Sequence, residues 1–344
     1  MLNVLEHLPE GLLELESTDL YKLLETPTLI HLVGEKQAPL FVSILLHGNE
    51  TTSWLAMRSL LQRYQGKILP RSLSIFFGNV SAARYRQRNL DDQPDYNRIW
   101  QPGDSPEQQM AQHVIESMRS RGVFASIDIH NNTGLNPHYG CITRLDRQSL
   151  NLAKLFSRTV VYYTTPKTVQ SHAFAKLCPS IVIECGQPDL PDGTAHALEY
   201  VETCLALESI PNREVTDIDL FHTVAIVKIP KSVSFGFADL NSHHSTVNLN
   251  PQTPNHDLYF PTDLDRLNFC ELPIGTKIGD IRARVDRPYL EAWDESGQDV
   301  SDRLFTYEQG AIRTRLPVMP SMLTLQPDII RQDCLCYLMV RLDI

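Results

Sequence analysis

The chain has 344 residues, 42% of them hydrophobic and 21% charged, which suits a folded soluble protein with one large or two moderate cores. Its formal net charge is -10 and its Lys and Arg residues gather into no cluster, so nucleic-acid binding is disfavoured as the main task, because nothing is available to neutralise phosphates. No apolar run approaches the roughly 18 to 20 residues of a membrane helix. Met1-Leu2-Asn3-Val4-Leu5-Glu6-His7 also lacks the basic start and apolar core of a secretion signal, so a cytoplasmic protein with no membrane partner is expected.

In chain order, Thr28 to Val33 and Leu40 to Leu46 read as strands separated by a turn at Gly34-Glu35-Lys36-Gln37. The second strand runs into His47-Gly48-Asn49-Glu50 and then a helix from Thr52 to Tyr64, whose apolar residues recur at the helical period. His47 and Glu50 stand at either side of a strand-to-helix turn, where open α/β sheets bind ligands. An imidazole and a carboxylate so close suit zinc, which takes nitrogen and oxygen ligands; a third ligand must come from elsewhere. Alone, the pair could equally cap a helix or meet a basic neighbour.

Leu73 to Val80 is the next strand, followed by an Arg- and Asp-rich loop from Ser81 to Trp100 that ends in Asp95-Tyr96-Asn97-Arg98. Such a loop carries either solvated charge pairs or groups that orient a substrate. A helix from Pro106 to Arg121 leads to the strand Phe124 to Ile129 and then His130-Asn131-Asn132, so that a second buried strand ends in a histidine. His130 is the natural third ligand, and Asp128, on the same side of that strand, can orient a ligand from behind. The alternation continues through His138 to Thr143, a helix from Gln148 to Ser157, a strand from Thr159 to Tyr163, and a short helix from Ser171 to Leu177. The strand Ser180 to Ile183 then ends in Glu184-Cys185-Gly186. A carboxyl at the mouth of an apolar strand is costly unless used or paired, which makes Glu184 either a general base or one half of an ion pair. A helix from Asp192 to Leu207 closes this part.

Beyond residue 211 helical spacing gives way to short β-like runs divided by Pro and Gly, so the expected division is an α/β domain at 1–210 and a mostly β domain at 211–344. His243-His244, with His256 nearby, reads as a polar loop rather than a second metal site. The seven cysteines are odd in number, mostly embedded in apolar runs and show no CxxC spacing, so reduced, buried thiols are expected.

The order His47-Gly48-Asn49-Glu50, Asp95-Tyr96-Asn97-Arg98, Asp128-Ile129-His130-Asn131 and Ile183-Glu184-Cys185-Gly186 resembles the succinylglutamate desuccinylase and aspartoacylase family of zinc carboxypeptidase-like hydrolases. The resemblance spans residues about 40 to 190. It implies a mixed α/β sheet flanked by helices and a smaller C-terminal β domain that narrows the site entrance. It further implies one zinc ion per chain on His47, Glu50 and His130, and Glu184 as general base and acid. Asn97, Arg98 and Arg88 are implied to grip the carboxylate or carbonyl of a small-molecule substrate. The chain departs from the family pattern at Asn79-Val80 and at Tyr96. His172 to Leu177 lacks the arginine that aspartoacylase uses toward aspartate; Lys176 is the only cation there and cannot form a bidentate clamp, which speaks against acyl-aspartate.

The expected activity is therefore zinc-dependent amide hydrolysis of an N-acyl amino acid, by a protein that can be monomeric or homo-oligomeric. Two other readings stay open at this point: a metallocarboxypeptidase acting on a short or cell-wall peptide, and a non-catalytic metal-containing protein that binds a carboxylated ligand. A thiol hydrolase built on Cys185 is more remote, since no partner histidine is identifiable.

Overall fold

The apolar runs of the first part of the chain become strands buried on both faces, as parallel strands covered by helices must be. The computed structural model describes residues 2–239, 255–282 and 289–343. It divides into two compact units, one of residues 1–132 and 138–220, the other of residues 133–137 and 221–343.

In the first unit the strands are β1 (Asn3–Leu5), β2 (Thr28–Leu32), β3 (Gly34–Ile44), β4 (Leu69–Phe77), β5 (Ala125–His130), β6 (Tyr139–Ile142), β7 (Thr159–Tyr162) and β8 (Ser180–Glu184). They lie side by side in the order β1-β2-β4-β3-β5-β8-β6-β7. Strands β4, β3, β5 and β8 run parallel to their neighbours in that series, while β2 and β6 run antiparallel to β4 and β8. The helices are α1 (Thr52–Arg63), α2 (Val80–Ala83), α3 (Pro106–Ser120), α4 (Arg147–Phe156), α5 (Gln170–Phe174) and α6 (Pro191–Ala206). This is the mixed α/β sheet flanked by helices that the sequence leads one to expect.

Local chemistry sets several of these limits. Ser105 caps α3 through a reciprocal pair of bonds with Gln108, and Pro106 stands at the first helical position, where a missing N–H costs nothing. The apolar stripe Met110, Ala111, Val114, Ile115 and Met118 is buried with Phe41, Phe76, Trp100 and Phe174. One expectation is corrected: Gly34 to Gln37 is no turn but the opening of β3, because Gly34 and Lys36 pair with Leu69 and Arg71 before the register shifts toward Leu40. Val33 alone separates β2 from β3, which lie on opposite sides of β4. A Cβ on Gly34 would lie 2.3 Å from the Arg71 carbonyl carbon, which is why glycine stands there.

The second unit contains β9 (Asp219–Lys228), whose first residues belong to the first unit, together with β10 (Phe235–Ala238), β11 (Leu258–Pro261), β12 (Lys277–Ile281), β13 (Glu291–Asp294), β14 (Phe305–Glu308), β15 (Ala311–Thr314), β16 (Met319–Ser321) and β17 (Cys336–Leu342). A five-stranded sheet has the order β10-β11-β12-β15-β14, and β9 is flanked by β13 and β17. Val227, Phe260, Leu290, Ile312 and Leu338 are among the side chains of its core. His243 and His244 lie outside the described residues, and half-buried His256 rests its ring edge-on against Tyr259. Among the described residues no helix is long and apolar enough to cross a membrane.

Candidate metal centre and active site

Parallel β3, β5 and β8 bring their C-terminal ends to one edge of the sheet, and each end carries ionisable residues. After β3 the chain passes Leu45, a non-glycine residue at φ 53, and reaches His47. Gly48 follows, where a Cβ would stand 2.2 Å from the Ala83 nitrogen and 2.7 Å from the Gln87 carbonyl oxygen. Only glycine lets this turn lie so close to the backbone of the Arg-rich loop. Glu50 precedes α1, His130 is the last residue of β5, and Glu184 is the last residue of β8 and its register partner.

His47, Glu50 and His130 are buried, and one ligand atom from each lies within 4.8 Å of the others. The Nδ1 atoms of both imidazoles face the Glu50 carboxylate, His47 at 2.7 Å from Oε1 and His130 at 2.8 Å from Oε2. Their other nitrogens meet carboxylates as well: His47 Nε2–H donates to Asp95 Oδ1 at 3.0 Å, and His130 Nε2–H to Asp128 Oδ2 at 2.9 Å. With those protons on Nε2, two Nδ1 lone pairs and a carboxylate converge on one buried point. Lone pairs repel at such distances unless protons or a cation lie between them. A zinc ion fits this donor set, with two ring nitrogens, one carboxylate and second nitrogens fixed by carboxylates.

The charges follow the same logic. Burial opposes protonation of both histidines, and Arg88 opposes it further at His47. Glu50 and Asp95 outweigh these effects at His47, as Asp128 and Glu50 do at His130, and both rings are held above the ordinary imidazole value. Burial likewise disfavours the charged forms of Glu50 and Asp95. The neighbouring imidazoles, joined at Asp95 by Arg88 and Arg98, nonetheless hold both carboxyls well below their usual range. Glu184 differs. It is buried, accepts a bond from Asn132 Nδ2 at 3.4 Å, and is pushed up to about 7 by burial, with His130 opposing and Glu50 adding to the rise.

The Arg-rich loop is joined to the same carboxylates. Arg88 donates to Asp95 Oδ2 at 2.9 Å, so it bears on the carboxylate that orients His47. Arg98 donates to the Asn97 carbonyl at 3.0 Å. The Asn97 amide nitrogen stands 3.3 Å from His130 Nε2, and its oxygen accepts from the Gln170 N–H at the start of α5. The seven cysteines are free, and Cys185 is fully buried with its thiol pushed well up by burial, which counts against a thiolate nucleophile. Lys176 is exposed beyond α5.

Sequence reasoning overlooked three positions. Asp95 is the partner of His47, Ser43 Oγ donates to Asp128 Oδ1 at 2.7 Å, and Asn131 bonds to Glu50, to Thr52 at the start of α1 and to the Gly186 carbonyl. Asp95 and Asn131 stand inside the motifs already noted, but only folding brings them to those partners. Ser43 carried a readable signal, since a polar residue in an otherwise apolar run such as Leu40 to Leu46 demands a buried partner.

No protein-family model matches the chain, and no curated protein matches it in sequence. Solved structures do. Succinylglutamate desuccinylase from Chromobacterium violaceum superposes with a TM-score of 0.53 at 14% identity, covering 90% of this chain and 86% of that one. Its fold is theirs. A succinylglutamate desuccinylase/aspartoacylase from Rhodobacter sphaeroides gives a TM-score of 0.54 at 13% identity, over 91% of this chain and 88% of that one. Murine aminoacylase 3 gives 0.53 at 15% identity, over 90% and 96%. The succinylglutamate desuccinylase and aspartoacylase fold thus extends over nearly the whole chain, well beyond the motif-bearing stretch.

Proposed function

We propose that this protein is a zinc-dependent hydrolase that cleaves the amide bond of an N-acyl amino acid or a related small carboxylated amide. The observation that carries the reading is the convergence of His47, Glu50 and His130 beside a carboxyl, Glu184, with a raised pKa. Paired carboxyls pushed in opposite directions are how a site separates a ligand from a proton carrier. The names of the structures that share the fold, desuccinylase, aspartoacylase and aminoacylase, support the choice of acyl amino acid. Residues 1–210 would carry the chemistry, with 211–344 a second, mostly β domain.

Zinc held by His47, Glu50 and His130 would polarise the amide carbonyl and acidify water. Glu184 accepts the proton of the attacking water as the C–O bond forms. It returns that proton to the amine nitrogen as the C–N bond breaks; a group near 7 can do both at neutral pH. Asp95 and Asp128 keep the two imidazoles in one tautomer, Arg98 and Asn97 receive the substrate's carboxylate or carbonyl, and Arg88 steadies Asp95 while adding positive charge at the carbonyl.

The test combines elemental analysis of wild type and His130→Ala with hydrolysis of a panel of N-acyl amino acids and short peptides. About one zinc per chain, lost in the variant and accompanied by turnover of acyl amino acids, is the expected result. Turnover confined to peptides would move the assignment to a carboxypeptidase, and full metal in both proteins would end it.

A further inference from the structure

The groups of the proposed site stand on separate segments, and Asn131 is bonded both to the turn that carries Glu50 and to the loop that follows Glu184. Its backbone N–H donates to Glu50 Oε2 at 3.1 Å. Its side-chain Nδ2 donates to Thr52 Oγ1 at 3.0 Å and to the Gly186 carbonyl at 2.8 Å. Its Oδ1 accepts from the Thr52 N–H at 3.3 Å. Thr51, at the N-cap position of α1, makes no side-chain cap bond of its own, so Asn131 supplies that cap from the far side of the turn. The residue is buried, and both polar atoms of its amide are engaged.

Gly186 lies two residues after Glu184, and its carbonyl also accepts from the Asn132 N–H at 3.1 Å. We propose that Asn131 is a positioning residue that fixes the Glu50 turn and the Glu184 strand end relative to one another. It sets where the base stands with respect to the metal carboxylate without touching substrate. This rests on the reading of the site given above.

A second bridge spans the same two loops. Buried Thr51 donates to Asp189 Oδ1 at 2.7 Å, and Asp189 Oδ2 pairs with Arg86 at 3.2 Å. Asp189 and Arg86 both hold left-handed backbone, at φ 63 and φ 53, a conformation non-glycine residues adopt where surrounding contacts impose it. The Arg86 pair is half-exposed and adds little by itself; the Thr51 bond is the inner part. Asn131 therefore joins the loops from inside and Asp189 from outside, with the Arg88 loop attached to the outer bridge.

The experiment compares wild type with Asn131→Ala, Asn131→Ser and Thr51→Val in three measurements: amide hydrogen exchange of the full chain, zinc affinity by competition with a chelator, and kcat against KM at saturating zinc. Asn131→Ala is expected to speed exchange in both segments 48–54 and 184–190 and to weaken zinc binding roughly 10- to 100-fold, the usual range for groups behind a metal ligand. It should lower kcat more than it raises KM. Thr51→Val loosens the same two segments less and leaves zinc affinity within about threefold, and Asn131→Ser falls between them. Exchange confined to segment 129–133, or zinc affinity and kcat unchanged in a folded Asn131→Ala, would overturn the proposal. Should Asn131→Ala fail to fold, a folded Asn131→Ser with unchanged exchange at 184–190 and unchanged zinc affinity does so. Altered exchange and zinc affinity in a protein that hydrolyses no acyl amino acid would instead refute the functional reading and leave the bridge standing.

Discussion

The first unit holds two histidine pairs at similar ring spacing, with centroids 5.0 Å apart for His47 and His130 and 5.1 Å for His138 and His196. Their surroundings differ in one respect. The first pair meets Glu50, Asp95 and Asp128, whereas the second bonds to itself, Nδ1 to Nδ1 at 2.8 Å, and through His196 Nε2–H to the Phe156 carbonyl at 2.9 Å. That last bond fixes the tautomers: His196 Nδ1 is an acceptor and His138 Nδ1 the donor. Burial, His196 and, in opposition, Asp192 leave His138 below its ordinary pKa, while His130 is far above it. Two rings stacked with Phe156 offer no cation site; two rings aimed at a buried carboxylate can hold one. What sets the candidate ligands apart from the packed histidines is the set of carboxylates around them.

The sharpest way to break the comparison is to remove the metal. Exhaustive chelation is expected to abolish hydrolysis, and zinc to restore it, in wild type and in His196→Phe alike; a His196→Phe protein that lacks zinc and activity before any chelation would mean that the wrong pair had been chosen. Glu184→Gln should keep its zinc by elemental analysis while turnover drops by about 10² to 10⁴, the contribution of a positioned proton carrier. Near-normal turnover would remove Glu184 from that role. Asp128→Asn leaves His130 without its carboxylate and should weaken zinc binding roughly 10- to 100-fold, whereas His138→Ala should leave it unchanged. A pH series sharpens the contrast between carboxyls. With Glu184 at about 7, kcat/KM is expected to fall about tenfold per unit as pH drops below that value, because the base must be ionised. In Glu184→Gln the residual rate should lose that limb. The smallest effect is structural: His196→Phe gives up two hydrogen bonds but keeps the ring stack, and chemical unfolding should register about 1 to 2 kcal/mol with no kinetic consequence.

Much of this architecture is visible in the chain before it folds. Strands buried on both faces need continuous apolar runs, and a helix on the sheet needs apolar residues at its own period, so the alternation from Thr28 to Leu207 could be read directly, as could the ionisable residues at the run ends His47, His130 and Glu184. The opening of β3 could not. Gly34-Glu35-Lys36-Gln37 has turn composition, and it takes the neighbouring β4 to hold it extended.

Partner identity was equally closed to the sequence. Asp95 is separated from His47 by 48 positions and Ser43 from Asp128 by 85, and local periodicity carries no information about who meets whom over such spans. His47 and His130 are marked in the sequence by their strand-end motifs, but nothing there pairs His138 with His196. The positions of the ionisable groups along the strands are written in the sequence, because such a group within or at the end of an apolar run is costly unless it is paired or used. Only the tertiary structure decided which histidines face carboxylates, which arginine serves Asp95 and which asparagine joins the loops, since those depend on strand order and register.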